Sequence, residues 1–197
     1  MSTRTRKPAS ERKAEIVDTA IKMAAIVGPD RLTTEKLARE IGISQPAIFR
    51  HFPSKTNIWE AVGERICTLM GESLRQDIPN DPQARLTHIV TAQLAFIQKT
   101  PAVPAILFSR ELHAENEPLR KVFASLMAAR HARISELVAQ GISTGVFKEN
   151  LDSDDAAYLV LTLIQGLAMR WSLNKQNFDL LAEGKRLLAL QMTAFKA

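Results

Sequence analysis

The sequence predicts an all-α fold, on three observations. Apolar residues recur at helical spacing from Ser10 almost to the C-terminus. The segments so marked are separated by cap residues, glycines and prolines. No alternating strand pattern of useful length appears. With 197 residues, 46% hydrophobic and 24% charged, the chain has enough apolar content for one ordinary core plus a small appended unit.

The first helix is expected from Ser10 to Val27. Ile16, Ala20, Met23, Ala24 and Val27 share one face, Ser10 serves as N-cap and Glu11 suits the helix dipole. Gly28-Pro29 ends it. A short second helix starts at Thr33 or Thr34, with Leu37, Ala38 and Ile41 inward and Gly42 after its end. Ile43 anchors the turn. Ser44 then caps a third helix, Gln45 to Phe52, with Pro46 in the first turn. Ala47, Ile48 and Phe52 are expected inward; Gln45, Phe49, Arg50 and His51 project elsewhere. Pro53 stops this helix. Ser54 caps a long fourth one carrying Ile58, Trp59, Val62, Ile66, Leu69 and Met70.

Two short helices joined by a tight turn suit a DNA major groove, the first bracing the second. Gln45 can offer an amide to adenine, and Arg50 can reach a guanine edge or a phosphate. Helix N-termini at Thr33, Ser44 and Ser54 offer amides to phosphates, with Lys55 adding a charge. His51 is read as a phosphate contact or a packed aromatic. The charge distribution agrees. The first thirteen residues hold Arg4, Arg6, Lys7, Arg12 and Lys13 against Glu11 alone, most of the chain's net +5.

Residues 31–62, RLTTEKLAREIGISQPAIFRHFPSKTNIWEAV, resemble the DNA-binding domain of TetR-family repressors, and the match runs from about Ser10 to Val62. It includes Gly42-Ile43-Ser44, Phe49-Arg50-His51-Phe52 and Pro53-Ser54-Lys55. The resemblance implies an N-terminal three-helix helix-turn-helix domain followed by a helical ligand-binding and dimerisation domain. The expected division is a basic flexible arm over residues 1–9, a DNA-binding domain over 10–53, and an effector-binding and dimerisation domain over 54–197, with helix four as connector. Thr33, Thr34, Ser44, Gln45, Pro46, Ala47, Phe49, Arg50, His51 and Lys55 are the expected DNA-binding residues. Ala47 and Phe49 stand where the family often has Thr and Tyr, whose hydroxyls touch phosphates, so Ser44, Arg50, His51 and Lys55 carry more of the load.

The remainder reads as further helices. Asp81-Pro82 opens one with Leu86, Ile89, Val90, Leu94 and Ile97 inward. Pro101 and Pro104 bracket the start of a shorter helix through Leu112. Asn116-Glu117-Pro118 starts a long helix that Gly145 ends, Asp152 or Ser153 starts another, and a last one runs from about Phe178 toward Phe195. The helix after Ser153 is apolar almost all round, so both sides need cover. A homodimer supplies it naturally, as does the four-helix interface that the resemblance implies, where Gly166 would allow close approach. A central core helix in a monomer is the other reading. Gly141 to Gly145 spells GxxxG in a polar setting and carries no weight.

The resemblance also implies an effector cavity. Gln93 and Arg130 interrupt apolar stripes, and Phe96, Phe108, His113, Met127, His131, Tyr158, Gln165 and Trp171 lie in the same region. A polar group on such a stripe needs a partner, either a ligand or a neighbouring side chain. The single cysteine, Cys67, reads as a small packed hydrophobe. Scattered histidines give no metal-ligand spacing, and no phosphate loop or spaced catalytic set appears. A cytoplasmic non-enzyme without cofactor, metal or membrane segment is expected. Its expected role is a sequence-specific regulator on a palindromic operator, released by a small-molecule effector. A DNA-bound structural or cell-division factor without effector is the alternative.

Overall fold

A computed structural model describes residues 7–75 and 79–197. Residues 1–6, with Arg4 and Arg6, lie outside the described residues, so most of the expected basic arm does too. Ten helices follow in order: α1 (Ala9–Val27), α2 (Thr34–Ile41), α3 (Gln45–Phe49), α4 (Lys55–Ser73), α5 (Pro82–Lys99), α6 (Ala102–Leu107), α7 (Arg110–Glu115), α8 (Glu117–Ser143), α9 (Ser153–Leu173) and α10 (Leu180–Phe195).

Local chemistry sets most boundaries. Thr33, Ser54, Asp81, Asn116 and Asp152 each accept a backbone amide from the first turn of the helix they precede. Gly42 adopts the left-handed conformation, φ 72°, and Ile43 donates to the Ala38 carbonyl at 2.9 Å, closing the helix-turn-helix corner. Gly145, at φ 72°, similarly turns the chain after α8.

Several expected details are corrected. Ser10 does not cap α1; the helix starts one residue earlier, on Pro8, which supplies no side-chain bond. Ser44 occupies the N-cap of α3, but its side chain makes no capping bond. That helix is regular only to Phe49; beyond it the His51 and Phe52 amides both donate to the Ile48 carbonyl, at 2.8 and 2.9 Å. Ala47 is half-buried and lines a surface groove. The helix expected from Pro101 to Leu112 is two helices, because the Ser109 hydroxyl accepts the Leu112 amide and starts a new turn. The last helix begins at Leu180 on Asp179, after Phe178.

Packing follows from the apolar stripes. α1 to α3 bury Ile16, Ala20, Leu37 and Ile48, while Val62 and Ile66 of α4 join that core to the C-terminal bundle. α4 packs against α1 on one side and α8 on the other; α8, α9, α10 and α5 form the larger body. Gly184 lets α10 approach α5: a Cβ there would sit 2.0 Å from Leu94 Cδ1. Gly166, by contrast, faces open space within the chain.

α9 is long and apolar enough to cross a membrane by length and composition, with mean hydropathy 1.3 over its best window. Its inner side, with Val160, Ile164, Leu167 and Trp171, is buried in the bundle. Its other side is open: Leu159 and Leu173 are 53% and 76% exposed, and Leu190 of α10 is 65% exposed. Within one chain, α9 is therefore covered on one side only.

Candidate nucleic-acid interface

α2 braces α3 through one buried contact and one polar one. Ile48 is fully buried, and the Gln45 side-chain amide donates to Thr34 Oγ1 at 2.8 Å and to the Glu35 carboxylate. Thr34 is thus buried and occupied within the corner, while Thr33 caps α2 through its hydroxyl. A hydrogen bond from its own backbone, with Thr33 and Gln45 adding to it, holds the Glu35 carboxyl below the usual range. Gln45, expected to project free toward a base, is half-buried, and its donor is engaged with α2.

Ser44, Pro46, Phe49 and Arg50 are exposed on α3 and its ends, with Phe49 40% exposed despite its large apolar ring. Lys55 is exposed at the start of α4. His51 is half-buried and lines a groove of about 360 Å³ with Ala47, Arg50, Ile43 and, from α1 and the residues before it, Lys7, Ala9 and Arg12. The Lys7 ammonium, aided by Arg12, holds the Glu15 carboxyl below its ordinary range, at contacts of 2.8 and 2.6 Å. Lys7 and Arg12 were legible only as charges near a terminus; the fold sets them beside the end of α3. Lys13 lies over the buried Phe52 ring, 5.7 Å from its centroid.

Two polar latches join this unit to the helical body. The Ser109 hydroxyl donates to Asp30 Oδ1 at 2.6 Å, tying the α1–α2 loop to the corner between α6 and α7. Asn116, 2% exposed, donates to the Thr56 carbonyl at 3.3 Å while it caps α8. α4 therefore meets the body at its N-terminal end as well as along its length.

The ten residues expected around an effector do not all converge. Gln93, Phe108, Met127 and Gln165 line one internal slot beside Phe123 and Ile164. The slot is nearly closed, with only about 20 Å³ of free space, and Gln165 donates to Met127 Sδ. Arg130 adjoins it by donating to Gln93 Oε1 at 2.8 Å. Burial pushes the Arg130 guanidinium down to about 10, still protonated at neutral pH. Phe96 is absent from the slot's lining, and the other four partner elsewhere. His113 reaches the Leu107 carbonyl and packs edge-on to Phe123; His131 reaches the Asp154 carbonyl and packs on Tyr158, which is 60% exposed; Trp171 donates to the Phe178 carbonyl. These partners are backbone carbonyls and neighbouring rings, contacts that helical spacing does not reveal.

Residues 16–62 match the family described as bacterial regulatory proteins, tetR family, and residues 82–190 match the C-terminal domain of BetI-type transcriptional repressors. Among curated relatives is the nucleoid occlusion factor SlmA of Shewanella baltica, 29% identical over 161 residues, covering 81% of this chain and 82% of that one. Solved structures of the same fold include a putative transcriptional regulator from Saccharomonospora viridis in complex with choline. It has a TM-score of 0.84 at 22% identity, over 95% of this chain and 99% of that one. A TetR transcription regulator from Haloarcula marismortui has a TM-score of 0.83 at 21% identity, over 95% and 100%.

Proposed function

The chain belongs to the TetR family of bacterial regulatory proteins, and on that premise we propose that it is a homodimeric, sequence-specific repressor released from a near-palindromic operator by a small-molecule effector. The observation that carries the DNA-reading part is the α2–α3 corner. The five-residue α3 is anchored by its buried Ile48, with Phe49 and the following Arg50 outward and a basic groove alongside. Arg50 reads a base edge, and Gln45 reads another once its amide leaves Glu35. Thr33, Ser44, His51 and Lys55 hold phosphates, and Pro46, Ala47 and Phe49 shape the surface that enters the groove. Thr34 orients Gln45 from behind.

The uncovered face of α9 and α10, with Leu159, Leu173 and Leu190, supports a two-fold dimer, and a two-fold dimer favours a dyad in its site. In the release step, an effector shifts α4, and with it Lys55 and the spacing of the paired α3 helices. Gln93, Gln165 and Arg130 at the internal slot support an effector that opens it. Such a protein works in the cytoplasm, on chromosomal DNA.

A second reading has its own support. The slot is almost filled, and a SlmA relative is a nucleoid occlusion factor. Mapping bound sites across the genome separates the two: sites clustered at promoters favour the repressor, and sites spread without regard to promoters favour the structural factor.

The DNA-reading part is tested by affinity at several salt concentrations. Arg50→Ala is expected to cost about 1–3 kcal/mol on a specific site and to narrow the gap to random DNA. Lys55→Ala is expected to weaken all sequences alike and to lower the salt slope by about 1 per protomer. Equal losses on specific and random DNA for Arg50→Ala would remove it as a reader.

A further inference from the structure

Outside the nearly closed slot, a second cavity of about 280 Å³ opens between the C-terminal end of α4, the first turns of α5 and the middle of α8. Its polar lining is Arg75, Arg85, His88, Arg130 and Arg133. We propose that this crevice binds a metabolite-sized organic anion carrying two or more negative charges as phosphate or carboxylate.

Among the described residues, the lining contains four guanidinium groups and no carboxylate. Elsewhere five arginines pair with carboxylates, Arg12 with Glu15, Arg65 with Asp18, Arg120 with Glu117, and Arg170 and Arg186 with Glu183, while Arg31, Arg39, Arg50 and Arg110 stand exposed on the surface without an ion pair to any described residue. Arg75, Arg85, Arg130 and Arg133 form no ion pair with any described residue. Arg130 is only 9% exposed; one terminal nitrogen donates to Gln93, and its buried Nε has no partner. His88 Nε2, also buried, has none either. A buried donor left unpaired is costly, and converging like charges repel. A bound anion removes both costs, and the planar guanidinium fork matches carboxylate and phosphate oxygens.

Size and place narrow the ligand. Ordinary small-molecule pockets run from about 300 to 1,000 Å³, so this one suits a compact metabolite rather than a long acyl chain. Leu74, Ile89 and Ile134 give it an apolar wall for a carbon skeleton. A quaternary ammonium such as choline would be repelled. DNA phosphate is not the occupant, because Lys55 and Ser73 at the two ends of α4 are about 27 Å apart at 1.5 Å per residue. Arg130 connects the crevice through Gln93 to the internal slot, and Arg75 stands just past the end of α4. An anion here holds the far end of the helix whose near end carries Lys55. That this occupancy releases DNA rests on the repressor reading above; the anion site itself does not.

The test is calorimetric titration of the purified full-length protein at constant ionic strength with inorganic phosphate, citrate and glucose 6-phosphate. Glucose and choline chloride serve as neutral and cationic controls. At least one organic anion is expected to bind, with affinity falling tenfold or more in Arg130→Met and at least threefold in Arg133→Gln. Arg133 is exposed, so its variant keeps the test open should Arg130→Met fail to fold. No binding by any anion at millimolar concentration, or binding unchanged in the folded variants, overturns the proposal. DNA affinity is measured separately, with and without saturating anion. Anion binding that leaves DNA affinity unchanged supports the site and refutes its effector role. Specific DNA binding by a protein that binds no anion refutes the site and leaves the DNA reader standing.

Discussion

Ser109→Ala tests whether the DNA-binding corner is latched to the helical body. The Ser109 hydroxyl makes two bonds: it accepts the Leu112 amide at 3.0 Å and donates to Asp30 Oδ1 at 2.6 Å. Losing the cap costs about 1 kcal/mol. A hydrogen bond to a charged group contributes about 1.5–3 kcal/mol, and the lower end applies because Asp30 is exposed and regains water. The expected loss is therefore about 2–2.5 kcal/mol. Equilibrium urea unfolding measures it, at one fixed protein concentration because self-association would make the midpoint move with concentration. Asp30→Asn keeps the cap and removes the charge, so it should lose about 1 kcal/mol. A double-mutant cycle of Ser109→Ala with Asp30→Asn should return a coupling of about 1 kcal/mol. A loss under about 0.5 kcal/mol for Ser109→Ala, with no coupling, would refute the latch.

Three further outcomes follow from packing and burial. Gly184→Ala places a Cβ 2.0 Å from Leu94 Cδ1 and should cost about 1–3 kcal/mol in the same unfolding assay, recovered in part by Leu94→Ala. Leu159→Glu with Leu190→Glu puts charge on the open face of α9 and α10 and should give a folded monomer in sedimentation velocity; an unchanged dimer would move the interface elsewhere. Burial pushes the Cys67 thiol above its ordinary range, with the Arg130 charge opposing only in part, so the thiolate is scarce at neutral pH. Alkylation of the native protein should be slow at pH 7 and rise as the pH moves into the alkaline range, and fast reaction at pH 7 would contradict the partial burial of Cys67.

Much of the fold was legible because its signals are local. A cap acts on the next three residues, so Thr33, Ser54, Asp81, Asn116 and Asp152 mark helix starts directly. Ser44 and Ser10 carry the same residue type without the bond, since Pro8 starts α1 early and the Ser44 hydroxyl makes no capping contact. The split at Ser109 was hidden because one hydroxyl chose between continuing a helix and reaching Asp30, a contact 79 positions away in sequence. Gln45 was readable as a polar residue on α3, but its engagement depends on Thr34 and Glu35 of α2. The arginine crevice was the least legible feature. Arg85 and Arg133 each look like ordinary surface charge on their own helix and Arg75 like ordinary charge past the end of α4, and only the packing of α4, α5 and α8 brings them together with Arg130. Arg130 alone was visible, as a charge on an apolar stripe.

In the proposed repressor, α3 reads sequence and two copies do so about a dyad. Selection of bound fragments from random DNA at about 150 mM salt, close to physiological ionic strength, tests it most directly. Wild type, Gln45→Ala and Arg50→Ala run side by side. Wild type is expected to enrich a palindromic motif that blurs at symmetric positions in each variant. No enriched motif from a folded wild-type dimer, or a motif unchanged in both variants, would contradict it.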